Sequence, residues 1–139
     1  MKVTVKQLVG ATFVAESPSG ARFEMEGSAE LGGTGERFRP MEAVLASLAG
    51  CSGIDVVKIL TQQKEPLQGL TITVDGERAD AVPAVFTKIH LRFEIRGNVA
   101  ENKAERAVAL SADKYCSVAK MLEPTVAITH EVVLVPAAP

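Results

Sequence analysis

The chain has 139 residues and two cysteines, and each cysteine stands where a helical pattern is interrupted. Cys51 lies in LASLAGCSGIDVVKIL, residues 45–60, between Gly50 and Gly53. Cys116 lies in LSADKYCSVAKML, residues 110–122. A free cysteine can be a small buried hydrophobe or, as thiolate, a nucleophile and redox centre. Context tilts the choice toward chemistry. Ser111 and Asp113 close one helical pattern and Ser117 opens the next, so Cys116 sits at a helix N-terminus, where the helix dipole favours a thiolate. Gly50 and Gly53 each cost about 1 kcal/mol against Ala inside a helix, which implies close packing or backbone access around Cys51.

Other reactive residue types are few. His90 and His130 are the two histidines, and with the cysteines they form no C-x-x-C or H-x-x-x-H pair, so the four do not read as a zinc set. His90 falls on the polar face of its strand and is expected in solvent. His130 falls on an apolar face and is expected as a hydrogen-bonded core residue. The GGTG stretch has no following lysine and no preceding strand of a βαβ unit, so it is not a phosphate loop. ENKAER reads as a solvated helix face.

These residues must be positioned by the elements around them. MKVTVKQL, TFVAES and ARFEME are short β-leaning runs, with turn chemistry at Pro18 and Gly20, and predict an N-terminal meander over 1–27. Residues 28–39 predict a flexible glycine-rich loop that delivers Arg37 and Arg39 to the helix start. Pro40 suits a first helical position, and Met41, Val44, Leu45, Leu48, Val56, Ile59 and Leu60 recur at helical spacing, predicting a central helix over 40–63. That helix is apolar on nearly every side in its first half. Beyond Pro66 the period becomes two, with Leu70, Ile72 and Val74, then Ile89, Leu91, Phe93 and Ile95. Helices from about Val99 to Leu110 and from Cys116 to Leu122 and a strand from Thr125 to Val135 complete a β-β-α-α-β region over 68–135. The order predicts one α+β domain spanning 1–139.

Bulk composition narrows the function classes. A net charge of -2, a single Tyr and no Trp leave neither a basic field for phosphate backbones nor an aromatic platform for single strands, so nucleic acid is not expected as a partner. The N-terminus alternates polar and apolar residues instead of presenting a secretion signal, and no uninterrupted apolar run approaches a membrane span. A cytoplasmic location is the expectation, and there any pairing of the two thiols is transient and chemical.

RPMEAVLASLAGCSGIDVVKIL, followed 65 residues after its cysteine by SADKYCSVAKML and ITHEVVLV, resembles the OsmC/Ohr family of osmotically inducible and organic hydroperoxide resistance proteins, within it the YhfA-like branch. The resemblance implies an OsmC-like α+β fold, an intertwined homodimer with a long central helix against antiparallel sheets, and peroxiredoxin-like thiol peroxidase chemistry without metal or organic cofactor. Carried over by position, it makes Cys51 the peroxidatic cysteine, which attacks the O–O bond of an organic hydroperoxide and becomes a sulfenic acid. It makes Cys116 the resolving cysteine, which closes a disulfide for an external dithiol reductant, such as a lipoyl protein, to reopen. It makes Glu42 the carboxylate that orients a catalytic arginine. Nine residues at 100° each place Glu42 and Cys51 on opposite sides of one straight helix, about 13.5 Å apart along it, so the resemblance's dimer-interface site fits a partner's Glu42 or a bent helix.

The family's arginine belongs to the first hairpin, here LVGATF, which has none. Arg39, beside Pro40, is the expected substitute, with Arg37 second and Arg22 third. A fixed guanidinium near the sulfur stabilises both the thiolate and the developing alkoxide. Two readings follow: a hydroperoxide reductase using Cys51 and Cys116, or a non-enzymatic redox sensor or small-molecule binder with the same fold.

Overall fold

The computed structural model describes residues 1–139 as two compact units, Met1–Val44 and Leu45–Pro139. The first unit is an antiparallel meander of β1 (Thr4–Val9), β2 (Thr12–Glu16) and β3 (Arg22–Glu26) in the order β1-β2-β3. Gly10, at φ 54°, takes the left-handed conformation that the tight β1–β2 turn requires. Phe13 pairs with Gln7 on one side and Met25 on the other, and only Val14 and Ala15 of β2 are buried. The whole of β1 is exposed.

The loop after β3 departs from the flexible connection expected for it. It is built around the carboxylate of Glu26, a residue only 3% exposed, which accepts the Thr34 and Arg37 backbone N–H groups and the Thr34 hydroxyl. Gly33 has no alternative there, since a Cβ at that position would stand 2.1 Å from the Gly27 carbonyl oxygen. Phe38 then returns beside Met25, and its carbonyl accepts the Glu26 N–H at 2.9 Å.

Helix α1 (Pro40–Gln62) begins in the first unit and continues into the second. It stops where Lys64 adopts a left-handed conformation, φ 58°. Leu48, Ser52, Val56 and Leu60 are its buried residues, a row at four-residue spacing along one side. By length and composition α1 is apolar enough to cross a membrane, with a mean hydropathy of 1.7, although Asp55 and Lys58 interrupt its apolar run. Inside the second unit it lies over a sheet: a Cβ on Gly53 would come within 3.0 Å of Ile72 Cδ1.

That sheet is formed by β4 (Leu67–Arg78), β5 (Phe86–Gly97) and β6 (Ala127–Val135) in the order β4-β5-β6. Phe86, Ile89, Leu91, Phe93 and Ile95 make β5 the centre of the core, their alternation placing one face inward. β4 is antiparallel to β5, but β6 is parallel to it, a correction to the wholly antiparallel sheets expected. The reason is the connection. Between β5 and β6 the chain runs through α2 (Glu101–Leu110), a π-helical turn (Ser111–Tyr115) and α3 (Ser117–Leu122), long enough for the crossover that a parallel neighbour requires. The fold is α+β.

Candidate functional site

Cys51 and Ser52 are consecutive on α1, and Asp55 is one turn on. Ser52 is 4% exposed, and Cys51 and Asp55 are half-buried. Opposite them α2 ends at Leu110, as its pattern suggested, and the chain widens directly into the π-helical turn, closed by the Cys116 N–H donating to the Ser111 carbonyl at 2.9 Å. Such a turn inserts one extra residue into the helical path and re-aims the side chains that follow. Cys116 emerges from it with extended backbone, fully buried, as the N-cap of α3, its sulfur accepting the Ala119 N–H at 3.4 Å.

Both cysteines are free thiols, and the Cys51 side chain is near enough to act on the Cys116 thiol. Burial pushes the Cys116 thiol above its ordinary value; the Ala119 N–H pulls it down, the Cys51 thiol raises it, and the Ser52 hydroxyl lowers it. The helix N-terminus was expected to favour a Cys116 thiolate. The hydrogen bond is present, but desolvation outweighs it, because a helix of only six residues past the cap supplies little field while the sulfur has lost all its water. Of the pair, Cys51 is the one with solvent access.

The polar residues that sequence reasoning missed are Ser52, Asp55 and Ser111. The Ser111 hydroxyl, fully buried, lies 2.9 Å from Asp55 Oδ2 and 3.2 Å from Ser52 Oγ. The available signal was an Asp three residues after a Ser in an otherwise apolar helix, one turn past Cys51. Asp55 also borders a recess of about 170 Å³ with Lys58, Ile59, Gln62 and Tyr115. On another side of α1 an open apolar groove of about 890 Å³ runs past Gly50, Gly53, Ile54 and Val57 to Leu67 and Leu70 of β4. Gly53 there has the close packing its cost implied. Gly50 does not, since a Cβ on it would meet nothing within 4 Å.

Glu42, Arg39, Arg37 and Arg22 belong to the first unit. The Glu42 carboxylate accepts the Arg39 backbone N–H at 2.8 Å, capping the start of α1, and the Arg39 guanidinium makes no ion pair. Arg37 is committed elsewhere: its Nε is 2.6 Å from Glu24 Oε2, and this contact holds its pKa above the ordinary value. Arg22 faces Glu16 at 3.5 Å on the exposed surface. His90 Nδ1 lies 2.7 Å from Thr129 Oγ1 and its Nε2 3.2 Å from Glu131 Oε1. His130 is not a core residue. It pairs with buried Leu91, yet β6 is an edge strand with nothing beyond it, and the imidazole is exposed.

Comparison with known proteins shows what the chain as a whole is similar to. The family model described as OsmC-like protein matches residues 33–131, a span that contains both cysteines and Glu42. Protein YhfA of Escherichia coli strain K12 is 42% identical over 132 residues, covering 94% of this chain and 95% of its own. A crystal structure of a hypothetical protein from Aquifex aeolicus superposes with a TM-score of 0.83 at 29% identity, over 96% of each chain. An organic hydroperoxide resistance protein OsmC from Legionella pneumophila shares the fold at 21% identity, with a TM-score of 0.71 over 95% of this chain and 96% of that one. The family model over residues 33–131 and the 42% identity along nearly the whole chain make it a member of the OsmC-like protein family.

Proposed function

We propose that the protein reduces organic hydroperoxides with its two thiols. The single observation that carries the reading is the juxtaposition of Cys51, half-accessible on α1, with Cys116, buried beside it at the cap of α3. The Cys51 thiolate attacks one peroxide oxygen, the O–O bond breaks, and an alcohol leaves, with the sulfur left as sulfenic acid. Cys116 then displaces water and closes the disulfide, and an external dithiol reduces it. The apolar groove beside Gly50 and Ile54 suits the hydrocarbon part of such a substrate or the matching face of a second copy. Ile54, 71% exposed, and Val57, 42% exposed, support a homodimer over α1, since a helix this apolar gains by losing its water. Arg39, with no ion pair to hold its guanidinium, is the arginine this reading assigns to the thiolate, and Glu42 holds it through the backbone. Relatives of this fold that carry the name organic hydroperoxide resistance protein support the substrate class.

Turnover of cumene hydroperoxide with a dithiol reductant tests the reading, comparing the wild-type protein with Cys51→Ser. Turnover lost in the variant is the expected result. Absence of turnover in the wild type favours the second reading, a redox sensor or small-molecule binder. The observation on its side is that Arg37 is tied to Glu24 and the first hairpin of this chain, LVGATF, carries no arginine.

A further inference from the structure

The two-cysteine scheme leaves one buried residue without a task. Ser111 is fully buried, and it is held at both ends. Its carbonyl accepts the Cys116 N–H at 2.9 Å, while its hydroxyl has Asp55 Oδ2 at 2.9 Å and Ser52 Oγ at 3.2 Å as acceptors. An α-helical register would carry the Cys116 N–H to Ala112; the wider π register carries it to Ser111 instead. Asp55 stands one turn after Cys51 on the same face of α1. One residue therefore grips the backbone of the second cysteine and, through a charge-assisted hydrogen bond, the helix face that carries the first.

A hydroxyl in a core is costly unless hydrogen-bonded, and an apolar residue of similar size would pack there more cheaply. We propose that Ser111 and Asp55 are positioning residues whose tie between the π-helical turn and α1 holds Cys116 in place for Cys51 and so sets the reduction potential of the pair; the proposal rests on the pairing of these two cysteines in the reading above. The sulfur's own hydrogen bond, from the Ala119 N–H at 3.4 Å, ties it to α3 and not to α1.

Closing the disulfide takes a proton from each thiol and two electrons from the pair, and glutathione disulfide accepts both and becomes two glutathione thiols. How far this runs depends on the effective concentration of one sulfur at the other, which is high when little freedom remains to be lost. With the tie intact, Cys116 is confined while it is still a thiol. Without it the π-helical turn is free to shift in the dithiol form, whereas the covalent bond holds it in the disulfide form. Loss of the tie thus favours the dithiol, and the potential rises. By linkage the disulfide strengthens the tie to the same degree, so Ser111→Ala costs more stability in the oxidised protein than in the reduced one.

The test is equilibration of the full-length protein in glutathione buffers of graded ratio at neutral pH, followed by acid quenching, alkylation and mass spectrometry of the Cys51–Cys116 disulfide. Ser111→Ala is expected to move the equilibrium about 10-fold toward the dithiol, which is about 30 mV for a two-electron couple. Asp55→Ala should match it, and the double variant should add little, because the two residues act as one tie. Asp55→Asn keeps a carbonyl oxygen for the Ser111 hydroxyl and should recover most of the wild-type value; a shift as large as that of Asp55→Ala makes the effect one of charge and overturns the tie. Ser111→Ala, the smaller change, decides the matter if Asp55→Ala loses its native circular dichroism. Glu65 provides a control for general stability, since just past α1 it accepts the Ala100 N–H at 3.3 Å and faces Lys103 Nζ at 3.1 Å, joining the same helix to α2 without touching Cys116. Glu65→Ala should leave the potential unchanged. A shift there equal to that of Ser111→Ala, or a wild-type potential in Ser111→Ala, overturns the positioning role, as does a wild type that forms no Cys51–Cys116 disulfide. A wild type whose disulfide responds to Ser111→Ala yet that does not turn over cumene hydroperoxide overturns the peroxidase reading and leaves the positioning role standing.

Discussion

Replacing Gly76 by Ala puts the packing under α1 to a quantitative test. Gly76 lies in β4, and the Phe86 ring from the start of β5 covers its bare Cα. A Cβ there would stand 2.6 Å from Phe86 Cε1, 2.8 Å from Cδ1 and 3.1 Å from Leu45 Cδ2. Carbon atoms pack at about 3.5–4.0 Å, so the ring must retreat by about 1 Å. It has little room, since Phe86 is only 6% exposed. Overpacking of this kind costs about 1–3 kcal/mol, and the gain from replacing a strand Gly is smaller, so Gly76→Ala is expected to destabilise by about 1–2 kcal/mol. Phe86→Leu alone leaves a partial void and costs less than the roughly 3–5 kcal/mol of a Phe→Ala truncation. The decisive quantity is their coupling. In the double variant the smaller side chain makes room for the new methyl, so the combined loss should fall short of the sum by about 1 kcal/mol. Urea unfolding in reductant, at one protein concentration, measures all four corners of the cycle. Strict additivity, or a Gly76→Ala midpoint equal to that of the wild type, refutes the reasoning.

Four further outcomes are expected. In Cys51→Ala the two influences of Cys51 that raise the Cys116 thiol disappear, so the midpoint of pH-dependent alkylation of Cys116 should fall while burial keeps it above that of an ordinary cysteine; an unchanged midpoint contradicts the contact. Glu26 is held below the usual carboxylate value first by the Thr34 N–H, with Arg37 adding to it, so its contribution is present above the unfolded-state pKa and is lost as pH falls through the lowered folded value. Glu26→Gln should therefore flatten the acid limb of stability measured by urea titration, and an identical limb would remove the assignment. Arg39→Ala should slow peroxide attack without uncapping α1, because Glu42 takes the backbone N–H; unchanged turnover would defeat the role of Arg39. Light scattering at micromolar concentration should give a dimer, and Ile54→Asp should shift it toward monomer; a wild-type monomer of about 14.7 kDa refutes the shared interface.

How much could be read before the structure depended on the range of the interaction. Period-two apolar residues in β5 and the helical spacing after Pro40 report on which face of an element is dry, a local property that burial imprints on the sequence, and α1 (Pro40–Gln62) and β5 (Phe86–Gly97) lie where those patterns are. The α+β class and the family resemblance follow from such patterns and from the two cysteine segments. What periodicity does not contain is which neighbour an element meets. His130 shares its face with core residues by alternation, yet it is exposed because β6 is an edge strand, and β6 is parallel because of the crossover through α2 and α3. The glycine-rich loop read as flexible because its composition is permissive. Its order comes from one buried carboxylate, Glu26, that gathers donors 8 and 11 residues away. The charge state of Cys116 shows the same division. The helix cap that lowers a thiol's pKa is written in adjacent residues, while the desolvation that raises it more depends on α1, 65 residues back, lying over the sulfur, and only the folded chain sets that balance.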